Sequence, residues 1–223
     1  MTEPQDVIDT RTSYAAFATE YTEHVRHELD RFPLARALLA HFAELVHADG
    51  GGPVADLGCG PGRVAAHLAG LGLDVLGIDL TPRMVEIARR EHPSLRFEVG
   101  TMAALELPDD GLAGALAWYS IIHTPHARLP VVFAELHRVL VPGGHLLLAF
   151  QVGDEPVRPA EMAGHPVTLT FHRHQVDAVA ELARGAGLEV VVRTRQERQE
   201  HEPTAQGFVL ARKPVRPGVA TVP

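Results

Sequence analysis

The stretch Val54-Ala55-Asp56-Leu57-Gly58-Cys59-Gly60-Pro61-Gly62 constrains this chain more than any other. Four mostly apolar residues read as a strand. They run into a turn with three glycines, and Arg63–Leu71 then reads as a helix. A strand that stops in such a turn and restarts as a helix opens a βαβ unit, which implies a parallel sheet with helices packed on it. Glycine permits the sharp bend and lets the backbone approach a ligand without a Cβ in the way. The helix start offers unpaired N–H groups and a positive dipole end. The turn therefore predicts both a fold and a ligand position, because α/β sheets bind ligands beyond the carboxyl ends of their strands.

The rest of the chain repeats the unit. Asp74–Ile78 reads as a second strand. Thr81-Pro82 starts a helix that ends before Pro93, with threonine as cap and proline in the first turn. Leu95–Val99 and Leu112–Tyr119 follow as strands, then a helix from about Ala127 to Leu140. Pro142-Gly143-Gly144 turns into a fifth strand, His145–Phe150. Residues 188–194 and 207–212 read as an antiparallel hairpin after a helix over 174–186. The expected fold is α/β: a Rossmann-like, seven-stranded, mostly parallel sheet with helices on both faces and a C-terminal antiparallel hairpin. Ahead of it, 11–31 reads as one helix, with Tyr14, Phe17, Ala18 and Tyr21 on one face. A second helix follows Pro33 to about Val46. Residues 1–213 are expected to form one domain, with 1–48 as a helical cover and 214–223 as a loose tail.

Composition narrows the function. The formal charge is -8 and no Lys/Arg cluster appears, which argues against a nucleic-acid partner. The single cysteine, Cys59, allows no intramolecular disulfide. No run reaches the ~18 apolar residues of a membrane span, and residues 1–10 lack the pattern of a signal peptide. A cytoplasmic protein without membrane contact is expected, as a monomer or homodimer. Fourteen histidines include His165, His172 and His174, but no set of three or four ligands with supporting acids accompanies them, so no metal is expected.

The ligand is narrowed by spacing. A dinucleotide fingerprint, G-x-G-x-x-G, would need a third glycine at 63, where Arg63 stands. Asp79 lies 21 residues beyond Gly58, at the end of the second strand. A carboxylate there can accept hydrogen bonds from both ribose hydroxyls of an adenosine, or serve only as an acidic helix-start residue. Asp56-Leu57-Gly58-Cys59-Gly60-Pro61-Gly62 resembles motif I of class I S-adenosylmethionine-dependent methyltransferases. Leu140-Val141-Pro142-Gly143-Gly144 resembles their L-x-P-G-G turn, and the closing hairpin resembles their reversed seventh strand.

The resemblance, over roughly 50–212, implies S-adenosyl-L-methionine as cofactor and a small-molecule O or N acceptor. It implies that Asp56 and the backbone of Gly58, Cys59 and Gly60 hold the methionine moiety, that Asp79 holds the ribose, and that Leu80 packs beside the adenine. The acid that often follows the third strand in the family is replaced here by Thr101 and Met102. Trp118, Tyr119 and Ser120, at the end of the fourth strand, would lie against the sulfonium and face the acceptor.

His123 is the candidate general base, or else shapes the pocket. Tyr14 and Tyr21 lie in a segment similar to the covering N-terminal helix of small methyltransferases, or simply pack on the sheet. Residues 151–173 are too long for an ordinary connection and are expected to form an acceptor lid carrying Gln151, His165 and His172. A surface insertion is the alternative, with a possible strand at Val167–His172. A nicotinamide oxidoreductase and a cofactor-binding module without activity remain as competing functions.

Overall fold

In the strand Pro53–Leu57 (β1), Val54 faces one helical layer while Ala55 and Leu57 face the other, as the two-residue period of a strand requires. Both faces are thus covered, and the strand is buried over its last four residues. This computed structural model describes residues 3–199 and 202–215. After β1 come Arg63–Gly70 (α5), Asp74–Asp79 (β2), Pro82–Glu91 (α6), Arg96–Val99 (β3) and Leu112–Trp118 (β4). Leu129–Val139 (α7), Leu140–Gln151 (β5), Val176–Gly185 (α8), Glu189–Gln196 (β8) and Gln206–Arg212 (β9) complete the frame. The sheet order is β3-β2-β1-β4-β5-β9-β8, parallel from β3 to β5, with β9 antiparallel to both neighbours.

Two apolar layers hold the sheet. On one face Leu57, Ala117 and Leu148 meet Phe133, Leu136, Val179 and Ala183 of α7 and α8. On the other, Val54, Val75 and Leu116 meet α5, α6 and Pro33–Ala48 (α4), whose Leu39, Phe42 and Val46 are buried. The chain leaves β1 toward β2 and β3 on one side, then returns to β4 and β5 on the other. The carboxyl end of β1 is therefore the crevice where an α/β sheet takes its ligand.

The N-terminal segment differs from expectation. It is not one helix over 11–31 but three: Gln5–Ala16 (α1), Ala18–Val25 (α2) and Glu28–Arg31 (α3). The break at Phe17 turns an aromatic inward: its ring is buried and lies 5.2 Å from that of Tyr14. Ala18 joins Met84 and Ile87 of α6 in a small apolar cluster flanked by Tyr14 and Tyr21, which fixes this segment to the sheet side of the crevice. β5 also begins earlier than expected. It runs through Pro142-Gly143-Gly144 as extended chain, with only Gly143 in the left-handed region at φ +90°. No strand forms at 167–172. Instead Glu161–Met162 (β6) pairs with His165–Pro166 (β7), and Val157 bridges Phe171. The tail beyond residue 215 lies outside the described residues.

Candidate active site

Gly58, Gly60 and Gly62 all adopt positive φ, at +74°, +54° and +85°, so the turn is open to few other residues. The N–H groups of Gly58 and Cys59 donate to the Ile78 carbonyl at 2.7 and 3.1 Å, which leans the turn on the end of β2. Asp79 completes the joint. Its Oδ2 accepts from Gly60 N–H and its Oδ1 from Thr81 N–H, both at 2.8 Å. Burial raises the Asp79 carboxyl pKa, and these two N–H groups oppose the rise. Each oxygen keeps capacity for a further hydrogen bond, and Asp79 lines the cleft. Asp79 is thus both a structural tie and an acceptor at the cleft.

The cleft holds about 910 Å³ of empty space, its open mouth included. Gly58, Gly60, Asp79 and Leu80 form its floor. Thr101 and Met102 close the side beyond β3, and Trp118, Tyr119 and Ser120 the side beyond β4. Tyr21 lies over the turn, with Cε1 3.7 Å from where a Gly60 Cβ would stand. Tyr119 itself sits at φ +55°, a strained conformation of the kind that clusters at functional sites.

Asp56 and Cys59 do not line the cleft. Asp56 is buried behind the turn, and burial lifts its pKa to about 7 while Arg63 opposes the rise. Cys59 is buried, its sulfur facing Gly77, and burial pushes its thiol pKa up, so it is a packing residue rather than a nucleophile. Beside the glycine turn, Asp56 Oδ2 behind it and Ser120 Oγ on the cleft wall are both buried without a hydrogen-bond partner among the described residues. Buried polar atoms are rarely left unpaired, and Ser120 lines the cleft, so its free hydroxyl fits a polar ligand laid along the turn.

At the β4 end, His123 is held from two sides. Its Nδ1 lies 3.4 Å from the Thr170 carbonyl and its Nε2 2.9 Å from the Tyr14 hydroxyl. The tautomer that satisfies both donates from Nδ1 and accepts at Nε2. Burial lowers the imidazole pKa to about 4, so the ring is neutral near pH 7. Burial also drives the Tyr14 hydroxyl pKa well above its ordinary value.

The 151–173 segment does not line the cleft; it braces what does. The Thr170 carbonyl bonds His123, Phe171 packs at a tilt against its ring with centroids 5.0 Å apart, and Thr168 N–H donates to Ser13 Oγ on α1 at 3.1 Å. The cover is α1, whose Asp6, Val7, Thr10 and Tyr14 face the cleft one above another. The three acceptor-site residues expected on the segment lie elsewhere. Gln151 pairs with Gln206 in the sheet, because β5 runs one residue longer than its sequence pattern. His165 reaches Glu20 at the surface, 3.4 Å away. His172 lines a separate recess with His126 and His174, because the chain there follows the Val157–Phe171 bridge rather than a strand. Among the described residues no group of three His, Cys, Asp or Glu is arranged for a metal ion. Sequence reasoning missed Arg128 and Asp6, which meet at the cleft. The Asp6–Val7–Thr10–Tyr14 spacing was the available sign that the covering helix starts before residue 11.

Residues 54–144 match a family model described as a methyltransferase domain. An uncharacterized methyltransferase of Mycobacterium tuberculosis is 33% identical over 144 residues, 56% of each chain. An O-methyltransferase of Penicillium expansum is 32% identical over 152 residues, 62% of this chain and 52% of that one. The chain spans about half the length of these curated relatives. The structure of magnesium protoporphyrin IX methyltransferase from Synechocystis, solved with S-adenosylmethionine, shares the fold: TM-score 0.67 at 17% identity, over 96% of this chain and 99% of that one. The glycine turn, Asp79 and Ser120 all lie within the residues that match the methyltransferase domain, in a fold shared with a methyltransferase solved with its S-adenosylmethionine. The chain belongs to the class I S-adenosylmethionine-dependent methyltransferase family.

Proposed function

We propose that this chain transfers the methyl group of S-adenosylmethionine to an oxygen or nitrogen of a small molecule by in-line displacement. The observation that carries the reading is the Asp79 carboxylate: buried, oriented by two N–H bonds, and lining the cleft beside the glycine turn. Bound there, S-adenosylmethionine supplies a methyl group activated on a sulfonium. Asp79 accepts from the ribose hydroxyls, and Leu80 and Met102 flank the adenine. With no acid after Gly100, Thr101 and the backbone meet the adenine amine. Gly58, Gly60 and Tyr21 enclose the methionine moiety. The acceptor enters under α1, toward His123, Tyr14, Trp118 and Tyr119. Because the cofactor carries the chemistry, the chain supplies orientation and exclusion of water. His123, neutral and buried, takes the proton of a hydroxyl acceptor once Tyr14 yields its Nε2.

The O-methyltransferase among the relatives supports an oxygen acceptor, and the net charge of -8 disfavours nucleic acid. The reading places the protein in the cytoplasm, as a monomer or homodimer of a single domain whose residues 1–48 form the cover. Among the described residues no helix is long and apolar enough to cross a membrane.

Titration calorimetry with S-adenosylhomocysteine and, separately, NAD tests the cofactor. The first is expected to bind and the second not. Asp79→Ala leaves ribose hydroxyls and two backbone N–H groups unpaired, a cost of about 1–3 kcal/mol and hence a several-fold to ~100-fold loss of affinity. Unchanged affinity in a folded Asp79→Ala protein would remove the ribose assignment. Release of S-adenosylhomocysteine in the presence of an acceptor pool separates an enzyme from a module that only binds.

A further inference from the structure

Arg128 stands just ahead of α7, and its side chain lines the cleft opposite α1. Among the described residues it is the only arginine or lysine that does so. Its Nη1 donates to both carboxylate oxygens of Asp6, at 2.6 and 2.5 Å. Nε and Nη2 have no acceptor within hydrogen-bond range among the described residues. The pair is half-buried, with side-chain exposures of 31% and 27%, so it stands where the cleft meets solvent.

We propose that Arg128 anchors a carboxylate carried by the methyl acceptor, and that Asp6 occupies this anchor in the acceptor-free protein. The proposal rests on the reading of the cleft as a methyl-transfer site. Three observations support it. A planar guanidinium fork suits a carboxylate, and here one is already held on its Nη1 alone. Two of the fork's nitrogens stay open, so an incoming acid can be captured before Asp6 lets go. Charge argues for a monoanion: the cleft also holds Asp79, and one guanidinium offsets one negative charge. When the acceptor's carboxylate replaces that of Asp6 and Asp6 turns to solvent, the charge paired with Arg128 is unchanged, whereas a phosphate dianion would exceed it.

The geometry also limits size. Asp6 and Tyr14 lie two helical turns apart on α1, and Tyr14 bonds His123. The anchor is therefore on the order of 12 Å along the helix from the His123 pair. The acceptor is a hydroxy or amino acid whose carboxylate and methylated atom are separated by no more than that. The exchange frees only the outer end of α1, because Ser13–Thr168 and Tyr14–His123 hold the inner end.

The test uses protein loaded with S-adenosylhomocysteine, titrated calorimetrically with hydroxy- and amino-substituted aromatic and aliphatic acids. These include 4-hydroxybenzoate and 4-hydroxycinnamate, each set against its carboxamide and against a matching amine. At least one acid is expected to bind ten-fold or more tightly than its amide. Arg128→Gln is expected to erase that difference, and Asp6→Asn to tighten acid binding several-fold, with S-adenosylhomocysteine affinity and melting temperature near wild type in both. A panel with no preference for acids overturns the proposal, as does a preference that survives Arg128→Gln. Weaker acid binding in Asp6→Asn overturns the exchange. Preferred binding of amines, lost in Asp6→Asn, would make Asp6 the anchor instead. Failure of S-adenosylhomocysteine to bind sinks the methyl-transfer reading, whereas its binding without acid preference sinks only this one.

Discussion

Gly58→Ala is expected to abolish S-adenosylhomocysteine binding and to lower stability by about 2–5 kcal/mol. The residue sits at φ +74°, a conformation that costs a side-chain-bearing residue roughly 1–2 kcal/mol. A Cβ built there would stand 2.3 Å from Ser120 Cβ, with Ser120 Oγ at 3.1 Å. Ser120 cannot retreat easily, since it joins β4 to the turn that carries His123, and it is buried. Relief must come from the glycine turn, which would lift away from Asp79 and break the Gly60–Asp79 bond. For a chain of this length the melting temperature should fall by roughly 5–20 °C. Gly70→Ala is the control. It introduces the same methyl group near the end of α5, where a Cβ would meet nothing within 4 Å, and helix propensity favours alanine by up to about 1 kcal/mol. If Gly58→Ala bound S-adenosylhomocysteine as wild type does, the turn would not be the cofactor floor.

His123→Ala is expected to lower kcat by roughly 10²–10⁴ with cofactor affinity nearly intact. The imidazole pKa is depressed to about 4 by burial, so it is already neutral at pH 7. The pH profile of kcat should therefore show no inflection near 6.5, the value of an exposed histidine. Loss confined to the acceptor KM would instead make His123 a wall of the pocket, and wild-type kcat and KM would remove it from the site. The same depression has a stability consequence. A histidine with a lowered folded-state pKa is protonated first in the unfolded chain, so stability is lost as the pH falls from 6.5 toward 4. The difference from 6.5 to about 4 corresponds to about 3 kcal/mol. His174, whose pKa burial also lowers to about 4, adds to the effect in the same window. Denaturant melts of wild type and His123→Ala at pH 7 and pH 5 should show a shallower acid loss in the variant.

The frame was legible because it is written locally. The glycine turn and each strand–helix step depend on residues close in sequence, and the terminal hairpin pairs residues no more than 23 positions apart. Asp79 was legible because a parallel strand and its return helix have a nearly fixed length. What failed was long-range. The break at Phe17 accompanies burial of its ring against Tyr14 and Tyr21, which helix periodicity does not encode. The pairing of Asp6 with Arg128 depends on two segments 122 positions apart. For 151–173, length and proline content marked an unusual segment but not its direction. It turns behind His123 rather than over the cleft, because Val157 bridges Phe171 and Leu169 is buried.

The roof of the cleft is synthesised before every surface it rests on. Asp6, Tyr14 and Ser13 reach partners 122, 109 and 155 positions later, and α1 by itself buries only Ser13. Its packing against α6 becomes possible with the first half of the sheet, whereas its ties to His123, Arg128 and Thr168 wait for the second. Elements that join last with few buried contacts also leave first, as separate cooperative units whose opening costs a fraction of global unfolding. A bound nucleoside can therefore come and go by undocking this one helix, while the seven strands beneath it stay folded.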